Sequence, residues 1–114
     1  MEGVDIEVVP SGPVTVVMPK GDLDMAVAEQ LKGKLTELID QGQRRLVLDL
    51  GAVAYIDSAG LGTLVAAMKR ARGAGGDIKL CALQPDVRSI FAMTRLNKVM
   101  EVHSTRPAAV ASWE

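Results

Sequence analysis

The 114-residue chain contains one cysteine, one histidine and three aromatic residues, and no uncharged apolar run long enough to span a bilayer. With Cys81 alone, one chain can assemble neither an internal disulfide nor a cysteine-based zinc site, and a reducing, cytosolic setting is expected. Tyr55, Phe91 and Trp113 are too few and too scattered to form a stacking platform for single-stranded nucleic acid, so the core must be aliphatic. Thirteen Lys and Arg against fourteen Asp and Glu leave a formal charge of −1, which offers no global field to attract polyanions. The opening Met1-Glu2-Gly3-Val4-Asp5 lacks a basic stretch followed by an apolar one, so neither export by that route nor direct membrane insertion is expected.

Apolar residues at 48% and charged residues at 24% are those of a soluble globular chain, and the length suits one domain over residues 1–114. Val4, Ile6 and Val8 alternate with acidic residues and read as a half-buried strand ending at Pro10, with Ser11-Gly12-Pro13 as the turn. Val14 to Met18 is a largely β-branched run closed by Pro19, which predicts a hairpin. Asp24 then offers an N-cap to a helix whose apolar positions are Val27, Leu31, Leu35, Leu38 and Ile39, running to about Gly42. The unbroken Leu46-Val47-Leu48-Asp49-Leu50 predicts a central strand covered on both faces.

From Ser58, the spacing of Leu61, Leu64, Val65 and Met68 predicts an amphipathic helix, closed by a solvated Lys69-Arg70-Arg72 end. Ile78 to Leu83 reads as another strand, and Pro85 opens a helix through Val87, Ile90, Phe91 and Thr94. Val99 to His103 reads as a final short strand, and Arg106 onward as a terminal helix from Pro107 to Trp113. Met25, Met68, Met93 and Met100 read as fillers of core gaps. The order β-β-α-β-α-β-α-β-α predicts an α/β domain with a mixed sheet of four to five strands and about four helices.

Ligands of open α/β sheets gather at the C-terminal ends of strands, which directs attention to residues 51–60. There Asp57 and Ser58 stand side by side where a helix begins, among small neighbours that leave the hydroxyl accessible. One reading is a simple helix cap, worth about 1 kcal/mol. The other is that the unpaired N–H groups and dipole of the helix start tolerate an anion, so that a phosphate on Ser58 alters the surface without unfolding it.

Catalytic readings fare worse on the same residues. A Gly-x-Ser-x-Gly elbow requires glycine where Ile56 stands, and only Gly60 matches. His103 is the sole imidazole and reads as a solvated or capping residue. Gly60-Leu61-Gly62 lacks the third glycine of a dinucleotide fingerprint, where Val65 stands. No cluster of His or Cys offers transition-metal ligands. Asp22 and Asp24 could pair for acid–base work, but turns and caps commonly carry such residues.

Tyr55-Ile56-Asp57-Ser58-Ala59-Gly60-Leu61-Gly62, preceded by Leu46-Val47-Leu48-Asp49-Leu50, resembles the signature of the STAS-domain anti-sigma factor antagonists, and Gly21-Asp22-Leu23-Asp24 resembles the turn that opens that family's first helix. The likeness covers nearly the whole chain. It implies that Ser58 is the phosphoacceptor of a partner that is both anti-sigma factor and serine kinase, that the unphosphorylated domain binds this partner and frees a sigma factor, and that a serine phosphatase resets the switch. By the same likeness Asp22 and Asp24 belong to the docking surface, with Asp24 close to Ser58 and facing a basic group, while Asp57, Ala59, Gly60, Leu61 and Gly62 shape the rest. Arg95 stands where many relatives carry glycine, and Ala59 replaces a second serine. The resemblance implies a non-enzymatic cytosolic protein without a cofactor, a monomer or weak dimer. The alternative within the same fold is an unphosphorylated subunit of a membrane complex transporting lipid or anions.

Overall fold

The computed structural model describes residues 6–113. Strands β1 (Ile6–Ser11) and β2 (Val14–Pro19) form an antiparallel hairpin, and the chain then alternates through α1 (Met25–Asp40), β3 (Arg45–Asp49), α2 (Ser58–Gly73), β4 (Asp77–Cys81), α3 (Pro85–Met93), β5 (Val102–His103) and α4 (Arg106–Ala111). A single 3-10 turn, Leu96–Lys98, lies between α3 and β5. The five strands stand in the order β1-β2-β3-β4-β5, with every pairing after the hairpin parallel. The mixed α/β architecture expected of the sequence is therefore present, with β3 at its centre.

Strand alternation divides the interior in two. Leu46 and Leu48 of β3, with Ile78 and Leu80 of β4, meet Leu31 and Leu35 of α1, Leu64 and Met68 of α2, and Phe91 of α3 in the main core. Val14, Val16, Val47 and Cys81 point to the other face, where Ala109 of α4 covers them. Each fully buried aliphatic side chain is worth about 1.5–3 kcal/mol against exposure, so the three-helix face dominates the stability.

On the smaller face Lys79 is only 8% exposed. Its ammonium donates to the Ser112 carbonyl at 3.1 Å and hydroxyl at 2.9 Å, lies 4.2 Å from the Trp113 ring centre, and pairs with Glu101 at 3.3 Å. This pin fastens the end of the chain to the sheet, since a buried ammonium must find partners. The Cys81 thiol beside it is pushed up to about 12 by burial, and secondarily by the neighbouring Asp49 carboxylate.

Several boundaries differ from expectation. The first strand runs through Pro10 to Ser11, because β1 is an edge strand and a proline there can leave its missing N–H outside the ladder; Val4 and Asp5 lie outside the described residues. Gly12, at φ +62°, makes the two-residue turn. β4 stops at Cys81 because Ala82 adopts a left-handed conformation, φ +61°. Arg95, also at φ +61°, ends the α3 segment and starts the 3-10 turn, and the last strand is only Val102–His103, shorter at its start than the expected Val99–His103.

Two methionines correct the core assignment: Met68 and Met100 are buried, but Met25 is 71% and Met93 82% exposed. Counting about 100° per residue, Met25 falls roughly 100° from the middle of the buried stripe of α1, so it stands at its margin. Nor are all the cations closing α2 merely solvated. Arg70 pairs with Asp40 at 2.7 Å, and Arg72 reaches Asp77 at 2.9 Å and the Val99 carbonyl at 2.7 Å. His103 is half-buried and hydrogen-bonded to Glu101 rather than free in solvent.

Candidate functional site

Two helices begin side by side at one end of the sheet. After β2, Gly21 takes φ +94° and donates its N–H to the Ala52 carbonyl at 3.1 Å, turning the chain toward the loop that follows β3. Leu23 then forms an isolated parallel bridge with Ile56: its N–H donates to the Tyr55 carbonyl at 2.9 Å, and its carbonyl accepts from the Asp57 N–H at 3.3 Å. Both side chains of the bridge are buried. Asp24 and Asp57 follow directly, so the N-caps of α1 and α2 come level.

The caps work in the same way. Asp24 has an extended backbone and accepts from the Val27 N–H at 3.1 Å. Asp57 does so from the Gly60 N–H at 2.9 Å. Of the two cap candidates at this helix start, Asp57 therefore caps and Ser58 is the first helical residue. Its side chain is exposed, and the hydroxyl is not consumed by the capping bond. The negative charge of Asp57 and the helix dipole oppose one another there, both within one turn of the hydroxyl.

Gly60 makes the junction possible. A Cβ on it would stand 2.7 Å from the Leu23 carbonyl oxygen and 2.7 Å from Cγ1 of Ile56, so only glycine lets the first turn of α2 press against the Leu23 bridge. Ala59 and Leu61 are half-buried, and Gly62 is exposed. Asp22 is exposed in the turn before Leu23 and has no hydrogen-bond or ion-pair partner among the described residues. Asp22 is thus free while Asp24 caps, an arrangement of turn residues rather than a shared-proton pair.

The structure therefore brings Asp22, Asp24, Asp57, Ser58, Ala59, Gly60, Leu61 and Gly62 to one end of the molecule, on two segments joined through backbone. It adds two residues that the periodicity did not reveal. Met25, the first residue of α1, occupies the position that Ser58 occupies in α2, and Tyr55, 51% exposed, stands on the adjoining loop. The signal for Met25 was its place just off the buried stripe; for Tyr55 it was an aromatic in a loop of small residues. This end thus exposes Met25 and Tyr55 beside the carboxylate of Asp22 and the Ser58 residue.

Among the described residues no three His, Cys, Asp or Glu side chains are grouped to hold a metal, and no helix is long and apolar enough to cross a membrane. The STAS domain family matches residues 5–109. BtrV of Bordetella bronchiseptica, a candidate anti-sigma factor antagonist by name, is 39% identical over 95 residues, covering 83% of this chain and 82% of its own. The anti-sigma-B factor antagonist of Bacillus subtilis is 32% identical over 90 residues, 79% of this chain and 82% of its own. The crystal structure of an anti-sigma factor antagonist from Mycobacterium paratuberculosis superimposes with a TM-score of 0.87 at 26% identity, covering 96% of this chain and 93% of the other. With the family match over residues 5–109 and a relative 39% identical over most of both chains, the chain belongs to the STAS-domain family of anti-sigma factor antagonists.

Proposed function

We propose that the chain is a non-catalytic switch whose unphosphorylated form binds an anti-sigma factor with serine kinase activity and so frees a sigma factor. Docking uses the paired starts of α1 and α2, with Met25, Tyr55 and Leu61 supplying apolar contact and Asp22 and Asp24 the charge that meets a basic group. The kinase transfers the γ-phosphoryl group of ATP to Oγ of Ser58; the hydroxyl proton is lost and ADP leaves. ATP belongs to the partner, and a serine phosphatase hydrolyses the ester to restore the docking form.

The observation that carries this reading is the exposed Ser58 at the first position of α2, beside a cap already provided by Asp57. Because Asp57 supplies the cap, phosphorylation does not remove the bond that starts the helix. The ester adds about −1.5 to −2 charges at neutral pH. A partner seated there must desolvate or repel that charge, and about 1.4 kcal/mol suffices for each tenfold loss of affinity.

The test is intact mass after incubation with candidate anti-sigma kinases and ATP, with the modified residue mapped. One added phosphoryl group on Ser58, absent in Ser58→Ala, is the expected result. Ser58→Ala should retain the partner and Ser58→Asp should lose it; equal affinity of the two variants refutes the switch. Recovery of permease and ATPase subunits in place of a kinase in a pull-down would support the transport-complex role instead.

A further inference from the structure

A second feature lies one turn along α2 from Ser58. Leu61, Gly62, Val65 and Ala66 on α2 face Thr94 and Leu96 across an open groove of about 530 Å³, whose lining is mostly apolar. Leu61, Val65 and Leu96 are packed on the main core from below yet remain partly exposed in the groove. Met93, the last residue of α3 and the one before Thr94, is 82% exposed.

The charge around this groove is one-sided in a chain whose net charge is −1. No acidic residue occurs from position 58 through 76 or from 87 through 100, the two stretches that form its walls. Lys69 lines the groove, and Arg95 and Lys98 belong to the segment opposite; all three are exposed and have no ion-pair partner among the described residues. The neighbouring Arg70 and Arg72 are already paired, with Asp40 and Asp77. An apolar floor with an unopposed cationic rim is complementary to an apolar segment flanked by carboxylates.

At two residues here the choice of amino acid is costly: the left-handed turn at Arg95 closes α3, its N–H donating to the Ala92 carbonyl at 3.1 Å and its carbonyl accepting from the Lys98 N–H at 3.0 Å, yet the residue placed there is not glycine. Gly62 sits inside a helix, where glycine is unfavourable, although an added Cβ would meet nothing within 4 Å. Arg95 holds a left-handed backbone at φ +61° that glycine would accept without strain. The free domain uses the turn at Arg95 but not its guanidinium, and it gives no packing reason for glycine at 62. Both become intelligible if the bare helix backbone at Gly62 and the cation at Arg95 serve a bound chain.

We infer that this groove receives an acidic, apolar-faced helical segment of the partner, and that Lys69, Arg95 and Lys98 set its specificity. Only the partner's identity as an anti-sigma factor rests on the function proposed above. The assignment also relates the groove to the phosphate: its apolar mouth at Leu61 and Gly62 lies one turn from Ser58, so a phosphorylated Ser58 places negative charge where an acidic segment enters, about three turns from Lys69.

The test titrates the full isotope-labelled chain, at low salt, with a 16-residue peptide helix bearing Leu on one face and Glu on the other, and with the same peptide carrying Lys for Glu. The acidic peptide should shift the amide signals of Gly62, Val65 and Leu96, bind at least tenfold tighter than the basic one, and weaken on addition of salt. The triple variant Lys69→Glu, Arg95→Glu, Lys98→Glu should invert that preference. Arg95→Gly should melt at higher temperature than the parent while binding the acidic peptide several-fold more weakly, which separates a docking role from a structural one.

Equal affinity for the two peptides, signal changes confined to another face, or an unchanged preference in the triple variant overturns the inference. So does capture by phosphatidylglycerol vesicles, or self-association, with the acidic peptide left unbound. A failure of kinases to modify Ser58 would remove the proposed function and leave the outcome of this titration standing.

Discussion

Gly60 and Gly62 are two residues apart in one helix, and alanine at each should move stability in opposite directions. At Gly62 nothing lies within 4 Å of the added Cβ, so the substitution gains the helix-propensity difference, about 1 kcal/mol. At Gly60 the same gain is opposed by contacts of 2.7 Å with the Leu23 carbonyl oxygen and with Ile56 Cγ1. Neither atom is the loose end of a side chain, and the Leu23 carbonyl also accepts from the Asp57 N–H. Relieving the overlap costs about 3 kcal/mol by the usual scale of overpacking, for a net loss of about 2 kcal/mol. With about 2.1 cal/mol/K per residue of unfolding entropy, 1 kcal/mol moves the midpoint of a chain this long by about 4 °C. Gly60→Ala should therefore melt about 8 °C below the parent and Gly62→Ala about 4 °C above it. Thermal and urea unfolding followed by circular dichroism measure both. Shifts of the same sign would refute the idea that Gly60 is required for the close approach of α2 to the Leu23 bridge.

Other perturbations test the remaining contacts. Asp57→Ala should cost about 1 kcal/mol in urea unfolding through loss of the bond to the Gly60 N–H, whereas Ser58→Asp should leave the stability within about 1 kcal/mol of the parent, since an acid in the first turn favours the dipole. Cys81 in the native state keeps its proton to about pH 12, while the unfolded thiol loses it from about pH 9. The unfolded state then binds fewer protons, so stability should fall with rising pH between those values, by about 1.4 kcal/mol per unit from this group. Cys81→Ala should remove that component of the slope, and the native thiol should resist Ellman's reagent; an unchanged slope would contradict the burial argument. Lys79→Met, which keeps the stem and removes the ammonium, should cost about 1–3 kcal/mol and raise proteolytic cleavage near Ser112, because the two Ser112 oxygens lose their donor.

Much of the architecture was legible because each element carried its own punctuation. The alternation before Pro10, the stripe from Val27 to Ile39, the apolar run at Leu46–Leu50 and Pro85 at the start of α3 are local signals with local causes. What escaped was set by the backbone or by tertiary neighbours. Ala82 and Arg95 take positive φ, a conformation their side chains do not advertise; the first ends β4 short of the expected Leu83, and the second turns the chain out of α3 into the 3-10 turn. Pro10 is tolerated only because β1 lies at an edge, a property of the assembled sheet rather than of the strand. The methionines were ambiguous because one residue type serves both as core filler, at Met68 and Met100, and as exposed apolar surface, at Met25 and Met93. At the site, the Asp57-Ser58 pair and Gly60 were visible in the sequence. The backbone bridge from Leu23 to Ile56 was not, since nothing in either residue announces its partner 33 positions away.

The sheet order has a consequence for how the molecule is made. Since space and sequence run together from β1 to β5, every strand joins an open border of what is already paired, and none must be inserted between two predecessors. A polypeptide emerging from the ribosome can thus lay down its layers in the order of translation, each loop spanning only one crossover, as short contact separations favour. Helix α4, followed by Ser112 and Trp113 against Lys79, closes the face of the sheet opposite the first three helices after β5 has been added.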